Sequence, residues 1–592
     1  MRFKSKSQQG FQIFAVTGVN TISFGIHASA VARKGLLGFA IEREDPAEDQ
    51  RYFMPGFKVF ESIIPVPGEN TRVSTEQQPV QDFIWSDFTA KDGRDYTYHF
   101  YPMRGKPKNL ERGPAVTIEV RTEKLYSTGE HDVFFNRGVA SSQAYTAKFG
   151  NRRPDQLEGA KQQEALAWLS RDLDEALLKF IQQAKKGDAL RGCFYEFRYP
   201  PAAEAFKAAI QRGVDVKLIV DAKDNAKKNK KTGKLEPPFP REENLAMIKA
   251  AGIPKKAVIL REARPNNIQH NKFMVLLKGK ARKPAQVWTG STNLSVGGIH
   301  GQTNVGHWLR NEEVADAFHR YWELLETDPG AVRDDPEARQ RNTELRDAVE
   351  ELCEVPLARE DIPKGASPVF SPRSGPGVLD LYVNLVDEAD YNACITLAFG
   401  VGKQFKDKLG DNTKDGHLLL MLLEKQDKPG KKNAEEFVTL NASQNIYKAW
   451  GSYIDDPAYQ WARETNARIL KFNSHVSYVH SKFLLRDPLG PDPIVVTGSA
   501  NFSKASTNES DENMLLIRGN RRVADIYFTE FNRIFFHYYF RAVRQQADEM
   551  GKEAPPFQFL SDKPEGWLRQ YKPGSLRQKR LDMLLEMKGF DA

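Results

Sequence analysis

The chain has 592 residues, of which 40% are hydrophobic, 28% charged and 11% aromatic. That length exceeds what one hydrophobic core supports, and at roughly 100–200 residues per domain it predicts three or four domains or a few larger ones. The globular composition excludes a broadly disordered chain and a lone small binding module. The 86 Lys and Arg against 78 Asp and Glu leave a net charge of +8 and a pI near 9.0, a mild bias toward anionic partners such as nucleic acid or acidic lipid headgroups. Cys193, Cys353 and Cys394 have no paired spacing, so neither a disulfide framework nor a Cys-ligated zinc site is supported, and a reducing compartment fits best. No apolar run reaches membrane-spanning length, and the first residues lack the apolar stretch and cleavage site of a secretory signal. These features predict a cytoplasmic protein with no transmembrane segment.

Residues 1–125 are strand-like. Ile22, Phe24 and Ile26 alternate with Ser23, Gly25 and His27, and Val116, Ile118 and Val120 alternate with Thr117, Glu119 and Arg121. Period two with Gly, Pro and Asp punctuation predicts half-buried strands in a small β-sandwich, which resembles a fibronectin type III domain by pattern. Residues 126–160 read as a linker. From Gln163, Leu166, Leu169, Leu173, Leu177 and Phe180 recur at helical spacing, and a strand ending near Glu196 follows. Helix and strand then alternate through about residue 261, the rhythm of an α/β domain with a largely parallel sheet. Lys223, Lys227, Lys228, Lys230, Lys231 and Lys234 lie in one polar stretch, either a solvated loop or a basic arm over an anionic substrate.

An internal repeat organises the rest. IQHNKFMVLL followed by VWTGSTNLS, from Ile268, recurs as YVHSKFLLRD followed by VVTGSANFS, from Tyr478. Gly290 lies 20 residues after His270 and Gly498 lies 18 after His480; Val-Ala-Asp helix starts at Val314 and Val523 fall 24 and 25 residues beyond those glycines. Such parallel spacing predicts duplication of a whole α/β unit.

Within the second copy, His480 and Lys482 are two apart in a strand and share a face, which sets a nucleophile or proton carrier beside a fixed cation. Lys482 and the Asn501 amide can hold the oxygens of a pentacoordinate phosphorus without a metal. His480, Lys482 and Asp487, then Gly498, Ser499 and Asn501, then Glu512, resemble the phospholipase D superfamily, whose mark is His-x-Lys, an Asp beyond the next four residues, and a following Gly-Ser-x-Asn. The first copy keeps His270, Lys272, Gly290, Ser291 and Asn293, but has Leu277 at the aspartate position and Asn304 where the second has Glu512.

The resemblance covers roughly residues 160–546. It implies two α/β lobes, 161–345 and 346–592, the second ending in a C-terminal helix, with both motifs forming one site at a pseudo-twofold interface. It implies a phosphodiesterase working through a phosphohistidine, with no cofactor and no metal. Family precedent makes His270 the nucleophile and His480 the acid/base, while Glu512, read within its own copy, supports His480 and argues for the reverse. Lys272, Lys482, Asn293 and Asn501 hold the oxygens; Ser291, Ser499 and Asp487 are supporting. The substrate is a phosphodiester, a nuclease on nucleic acid being favoured over a phospholipase D or lipid transphosphatidylase acting on membrane phospholipids. A degenerate, merely phosphodiester-binding protein is a further reading, opposed by retention of both histidines and both lysines. The sandwich is a candidate surface for a protein partner. His300, His307 and His475 read as structural, Glu196 as either a cleft or a core-edge carboxylate, and the aromatic run from Phe528 as a packing helix.

Overall fold

The computed structural model describes residues 1–67, 71–138, 145, 148–150, 152, 154–228, 233, 235–262, 268–329, 337–413, 416–429, 437–451, 479–549 and 559–591. The N-terminal region forms a β-sandwich of two antiparallel sheets. One contains, in order, Arg2–Lys4, Phe11–Thr17, Ile22–Ala28 and Ile84–Asp87; the other is built around Asp95–Lys106, flanked by Gly38–Asp45, Asn109–Arg112 and Val116–Arg121. Between the sheets the Phe24 ring packs on Trp85, Tyr98 and Phe100.

Val116–Arg121 alternates buried and exposed as its period-two sequence requires. Ile22–Ala28 does not, because Ser23 and Gly25 are buried as well as the apolar set. The cause is the end of the chain. The helix Leu576–Leu585 lies on that outer face, where a Cβ on Gly25 would come within 2.9 Å of Leu584 Cβ. Nearby, Phe559–Leu560 pairs in parallel with Val59–Phe60, and Trp567 Nε1 donates to the Leu36 carbonyl at 3.0 Å. The C-terminal segment expected at the end of the second lobe thus completes the core of the first domain.

Two seven-stranded sheets follow, with one topology. The first runs His131–Phe135, Val305–Leu309, Lys283–Gly290, Lys272–Lys278, Ala189–Phe194, Asp215–Asp221, Val258–Arg261. The second runs Gly365–Ser371, Glu512–Arg518, Ile494–Gly498, Phe483–Arg486, Asn392–Leu397, Leu418–Leu423, Ile446–Trp450. In each, the last three strands are parallel and the other neighbours antiparallel. Duplication extends to the helix caps: Asn311 Oδ1 accepts from Val314 N at 2.9 Å and Asn520 Oδ1 from Val523 N at 3.1 Å, satisfying first-turn donors of the helices Glu312–Glu326 and Arg521–Glu549.

Two local expectations are corrected. The stretch expected as a linker holds the edge strand His131–Phe135, whose Val133, Phe134 and Phe135 are buried in the core of the first lobe. The single helical run from Gln163 is two helices, Gly159–Ser170 and Leu173–Gln182, broken where Arg171 and Asp172 take positive φ. At the break Arg171 donates to the Phe135 carbonyl and pairs with Glu530 of the Arg521–Glu549 helix at 2.6 Å. Burial alone would raise the Glu530 carboxyl, but Arg171 and Arg533 hold it at about 2. That aromatic helix packs as expected: Phe528, Phe531 and Phe535 are fully buried. Among the described residues no helix is long and apolar enough to cross a membrane.

Candidate active site

His270 lies two residues before the antiparallel strand Lys272–Lys278, and His480 and Lys482, expected within a strand, both lie just before Phe483–Arg486; the segment before each histidine crosses to the other lobe. Gln269 bridges to Asp511, with His270 N donating to the Asp511 carbonyl at 2.9 Å; Val479 bridges to Thr303, whose hydroxyl accepts from His480 N at 3.3 Å. The next residues repeat the exchange. Asn271 Oδ1 accepts from Asn513 Nδ2 at 2.8 Å, and the Ser481 and Thr303 hydroxyls lie 3.2 Å apart. The two motifs therefore meet at one interface.

This crossing corrects the pairing read within one copy. Glu512 does not hold His480: its Oε1 lies 2.9 Å from Nδ1 of His270, in the other lobe. His480 Nδ1 lies 2.9 Å from Asn304 Oδ1, again across the interface. The serines complete each arrangement, Ser499 Oγ donating to Glu512 Oε2 at 2.6 Å and Ser291 Oγ to Asn304 Oδ1 at 2.8 Å. Asn304 Nδ2 donates to the Gly298 carbonyl, which fixes the amide so that Oδ1 faces His480. Both histidines consequently donate from Nδ1 and turn Nε2, the atom free to attack or carry a proton, away from their partners.

The glycines of Gly-Ser-x-Asn are explained by crowding. A Cβ on Gly290, at φ +134°, would sit 2.2 Å from the Val305 carbonyl oxygen, and one on Gly498 2.2 Å from that of Asn513. Only glycine lets these strand ends lie close enough for the next serine to reach Asn304 or Glu512.

Lys272 Nζ donates to the His270 carbonyl at 2.6 Å and Lys482 Nζ to the His480 carbonyl at 2.5 Å, both ammonium groups being buried. Desolvation brings Lys272 down to about 8, and desolvation plus repulsion from Lys272 puts Lys482 well below the ordinary lysine range. Burial and the same two lysines push both histidines well below theirs. Burial raises Glu512 to about 7 against the opposing pull of Lys272 and Lys482. Four basic groups thus converge where an anion relieves their repulsion.

Asn293 Nδ2 donates to Glu196 Oε1 at 2.8 Å, and Glu196 Oε2 accepts from Arg198. Glu196 is therefore a positioning carboxylate. The Oδ1 atoms of Asn293 and Asn501 are buried with no hydrogen bond from any described residue. Tyr195 lies against His270 with ring centroids 5.0 Å apart, and against Lys272 Nζ at 5.4 Å. Asp487 accepts the backbone N–H groups of Asp390, Tyr391 and Asn392 at 2.7–3.0 Å, tying the motif strand to its neighbour. Leu277 at the matching position is buried apolar surface, and the tie is made from the opposite strand: Asp188 accepts from Gly279 N at 2.8 Å and Lys185 N at 3.0 Å.

Of the basic stretch, Lys223 follows the strand Asp215–Asp221, while Lys227 and Lys228 pair with Leu235–Glu236, Lys228 being exposed. Lys230, Lys231 and Lys234, like His475, lie outside the described residues. His307 is buried between His131 and Tyr527, and His300 between Leu166 and Tyr199. Among the described residues no group of three or more His, Cys, Asp or Glu side chains is placed to hold a metal ion.

No curated protein matches the chain. Among solved structures, a phosphatidylserine synthase from Haemophilus influenzae Rd KW20 is 14% identical, covering 65% of this chain and 93% of its own, with a TM-score of 0.42. A yeast tyrosyl-DNA phosphodiesterase is 12% identical over 59% of this chain and 88% of its own, with a TM-score of 0.30. Nuc, a phospholipase D family member from Salmonella typhimurium, is 25% identical over 25% of this chain and 83% of its own, with a TM-score of 0.19. The family model described as cardiolipin synthase, PLD-like domain, matches residues 177–325 and 383–535, one segment in each lobe and together just over half of the chain. The chain belongs to the phospholipase D-like family and is a phosphodiester-processing enzyme that carries the domain twice.

Proposed function

We propose that the protein is a metal-independent phosphodiesterase in which His270 is the nucleophile and His480 the acid/base. The observation that carries the assignment is the crossed pairing: His270 has a carboxylate on Nδ1 and His480 a neutral amide. Nε2 of His270 attacks phosphorus, and the bond to the leaving oxygen breaks as His480, protonated once the bound diester's negative charge offsets Lys272 and Lys482, gives that oxygen its proton. The phosphorylated imidazole is cationic, and the Glu512 carboxylate stabilises it through Nδ1–H; an amide stabilises it less. Water then gives a proton to His480 and attacks phosphorus, the P–N bond breaks, and Nε2 of His270 is free again. Lys272, Lys482, Asn293 and Asn501 hold the non-bridging oxygens, with Ser291 and Ser499 fixing the groups behind the histidines.

Nucleic acid is the substrate class we favour. The basic balance and the lysines from Lys223 to Lys234 support it. A cytoplasmic location accords with this reading, and the sandwich is the surface we assign to any protein partner.

The test offers single- and double-stranded DNA, RNA, and phosphatidylglycerol-containing vesicles to the purified protein, with chelator present. Cleavage of nucleic acid is expected. Neutralising the lysines should flatten the dependence of log affinity on log salt by about 0.7–0.9 for each phosphate they no longer hold. Turnover confined to vesicles replaces the nuclease reading with the phospholipase one. Binding of diesters without turnover, undiminished in His270→Ala, establishes the degenerate binding protein instead.

A further inference from the structure

The Asp215–Asp221 and Leu418–Leu423 strands are the second parallel strands of their sheets, and neither was singled out by the motifs. Their equivalence follows from register alone. Cys193 faces Phe273, three residues after His270; Ile395 faces Leu484, so the next position, Thr396, falls opposite Phe483, three residues after His480. One step further, Phe194 pairs with Val220 and Leu397 with Leu423. The next residues are Asp221 and Glu424, each buried. Asp221 Oδ2 accepts from Gln269 N at 3.2 Å and Glu424 Oε2 from Val479 N at 2.7 Å. Gln269 and Val479 are the residues immediately before the two histidines.

We infer that Asp221 and Glu424 are a symmetric pair of positioning residues that clamp the backbone entering each motif histidine and supply the negative charge that keeps the adjacent motif lysine an ammonium ion. The inference rests on the phosphodiesterase reading of the site. Asp221 also accepts from Lys223 N on Oδ1 at 3.3 Å, closing a local turn, but the N–H entering each motif, from Gln269 or Val479, needs no carboxylate, since an amide or hydroxyl oxygen satisfies it at a lower desolvation cost. Its retention in both lobes, as Asp in one and Glu in the other, is explained by its charge.

The groups facing each lysine support this. Around Lys272 stand Glu512, Glu196, Asp221 and the buried thiol of Cys193, with His270 and Lys482 opposing; around Lys482 stand Glu512 and Glu424, with Lys272 and His480 opposing. Asp221 itself faces Lys223 and Asp511, the latter held by Arg261 at 2.9 Å, and burial raises it to about 7. Above that pH it carries the charge that opposes loss of the Lys272 proton, which occurs at about 8.

The test uses Asp221→Asn and Glu424→Gln, which keep an oxygen for the Gln269 or Val479 N–H while removing the charge, beside Asp221→Ala, which removes both; in Asp221→Asn the Lys223 N–H also loses its acceptor. Hydrolysis of bis(p-nitrophenyl) phosphate is followed from pH 6 to 10. The alkaline limb of kcat/KM is expected to move to lower pH in both conservative variants, so that at a fixed pH above the limb the rate falls about tenfold for every pH unit the limb has moved. Asp221→Ala is expected to lower kcat further, through the freed Gln269 amide. A second measurement needs no turnover: tungstate affinity by calorimetry across the same range, whose alkaline fall is expected to move in the same direction. Conservative variants with wild-type pH dependence in both measurements overturn the inference. If wild-type protein leaves the diester intact while the tungstate profile moves as expected, the phosphodiesterase reading fails and the charge-supporting pair stands.

Discussion

The two half-sites share a topology, a register and a set of motif residues, yet the histidine of each is held by the other lobe and by a different chemical group. His270, from the copy that lacks the motif aspartate, receives the Glu512 carboxylate; His480, from the copy with every motif residue, receives the Asn304 amide. The copy that looks weaker by sequence therefore supplies the better-supported imidazole. In a crossed duplication the completeness of one copy describes the partner's histidine, because each strand end lends its side chain across the interface.

Removing the reacting atoms is expected to have the largest effect. His270→Ala and His480→Ala should each lower turnover by about 10²–10⁴-fold, but differently: protein denatured under alkaline conditions, in which a phosphohistidine persists, should retain a phosphorylated species with His480→Ala and none with His270→Ala. A phosphoprotein that persists in His270→Ala reverses the assignment of the half-sites.

Exchanging the partners comes next. Glu512→Gln withdraws the anion from His270 and is expected to cost about 10–100-fold, with His270 titrating at still lower pH. Asn304→Asp adds an anion beside His480 and should raise its pKa, moving the limb that requires a protonated His480 to higher pH. Because Glu512 titrates at about 7, wild-type turnover should also fall on the acid side of that value as the carboxyl takes up a proton, and Glu512→Gln should lose that feature. Identical pH–rate profiles for the two variants would sink the crossed pairing as a functional distinction.

The smallest expected effect lies in the framework. Asp487 accepts three backbone N–H groups and Asp188 two, so Asp487→Ala should cost about 2–4 kcal/mol of stability and Asp188→Ala less. Backbone hydrogen bonds, led by Gly279, hold the Asp188 carboxyl below the usual range against burial. Its stabilisation is therefore present above the unfolded carboxyl pKa and is lost as pH falls through the depressed folded value. Scanning calorimetry of both variants at neutral and acid pH measures the difference, and equal changes in Tm would show that the two ties are interchangeable.

Much of the molecule was legible in the chain. The period-two runs announced the sandwich, and the doubled His-x-Lys and Gly-Ser-x-Asn announced two α/β lobes and one site, since both patterns are set by neighbours a few residues apart. The break at Arg171 was not, because helical spacing continues through it and only the distant Glu530 rewards the break. Asp188 escaped notice because it repairs the missing motif aspartate from a different strand. Asp221 and Glu424 escaped because an acidic residue at a strand end has no signature until the register of three strands is known.

The sequence by itself determined which groups the proposed mechanism uses: imidazoles, ammonium groups, amides and one carboxylate, in two copies and in order. Tertiary structure alone decided who holds whom. Hydrogen bonding and desolvation act over a few ångströms, whereas Glu512 and His270 are separated by 242 residues of chain. Their pairing exists only because the segment before each motif crosses the interface and docks on the opposite sheet.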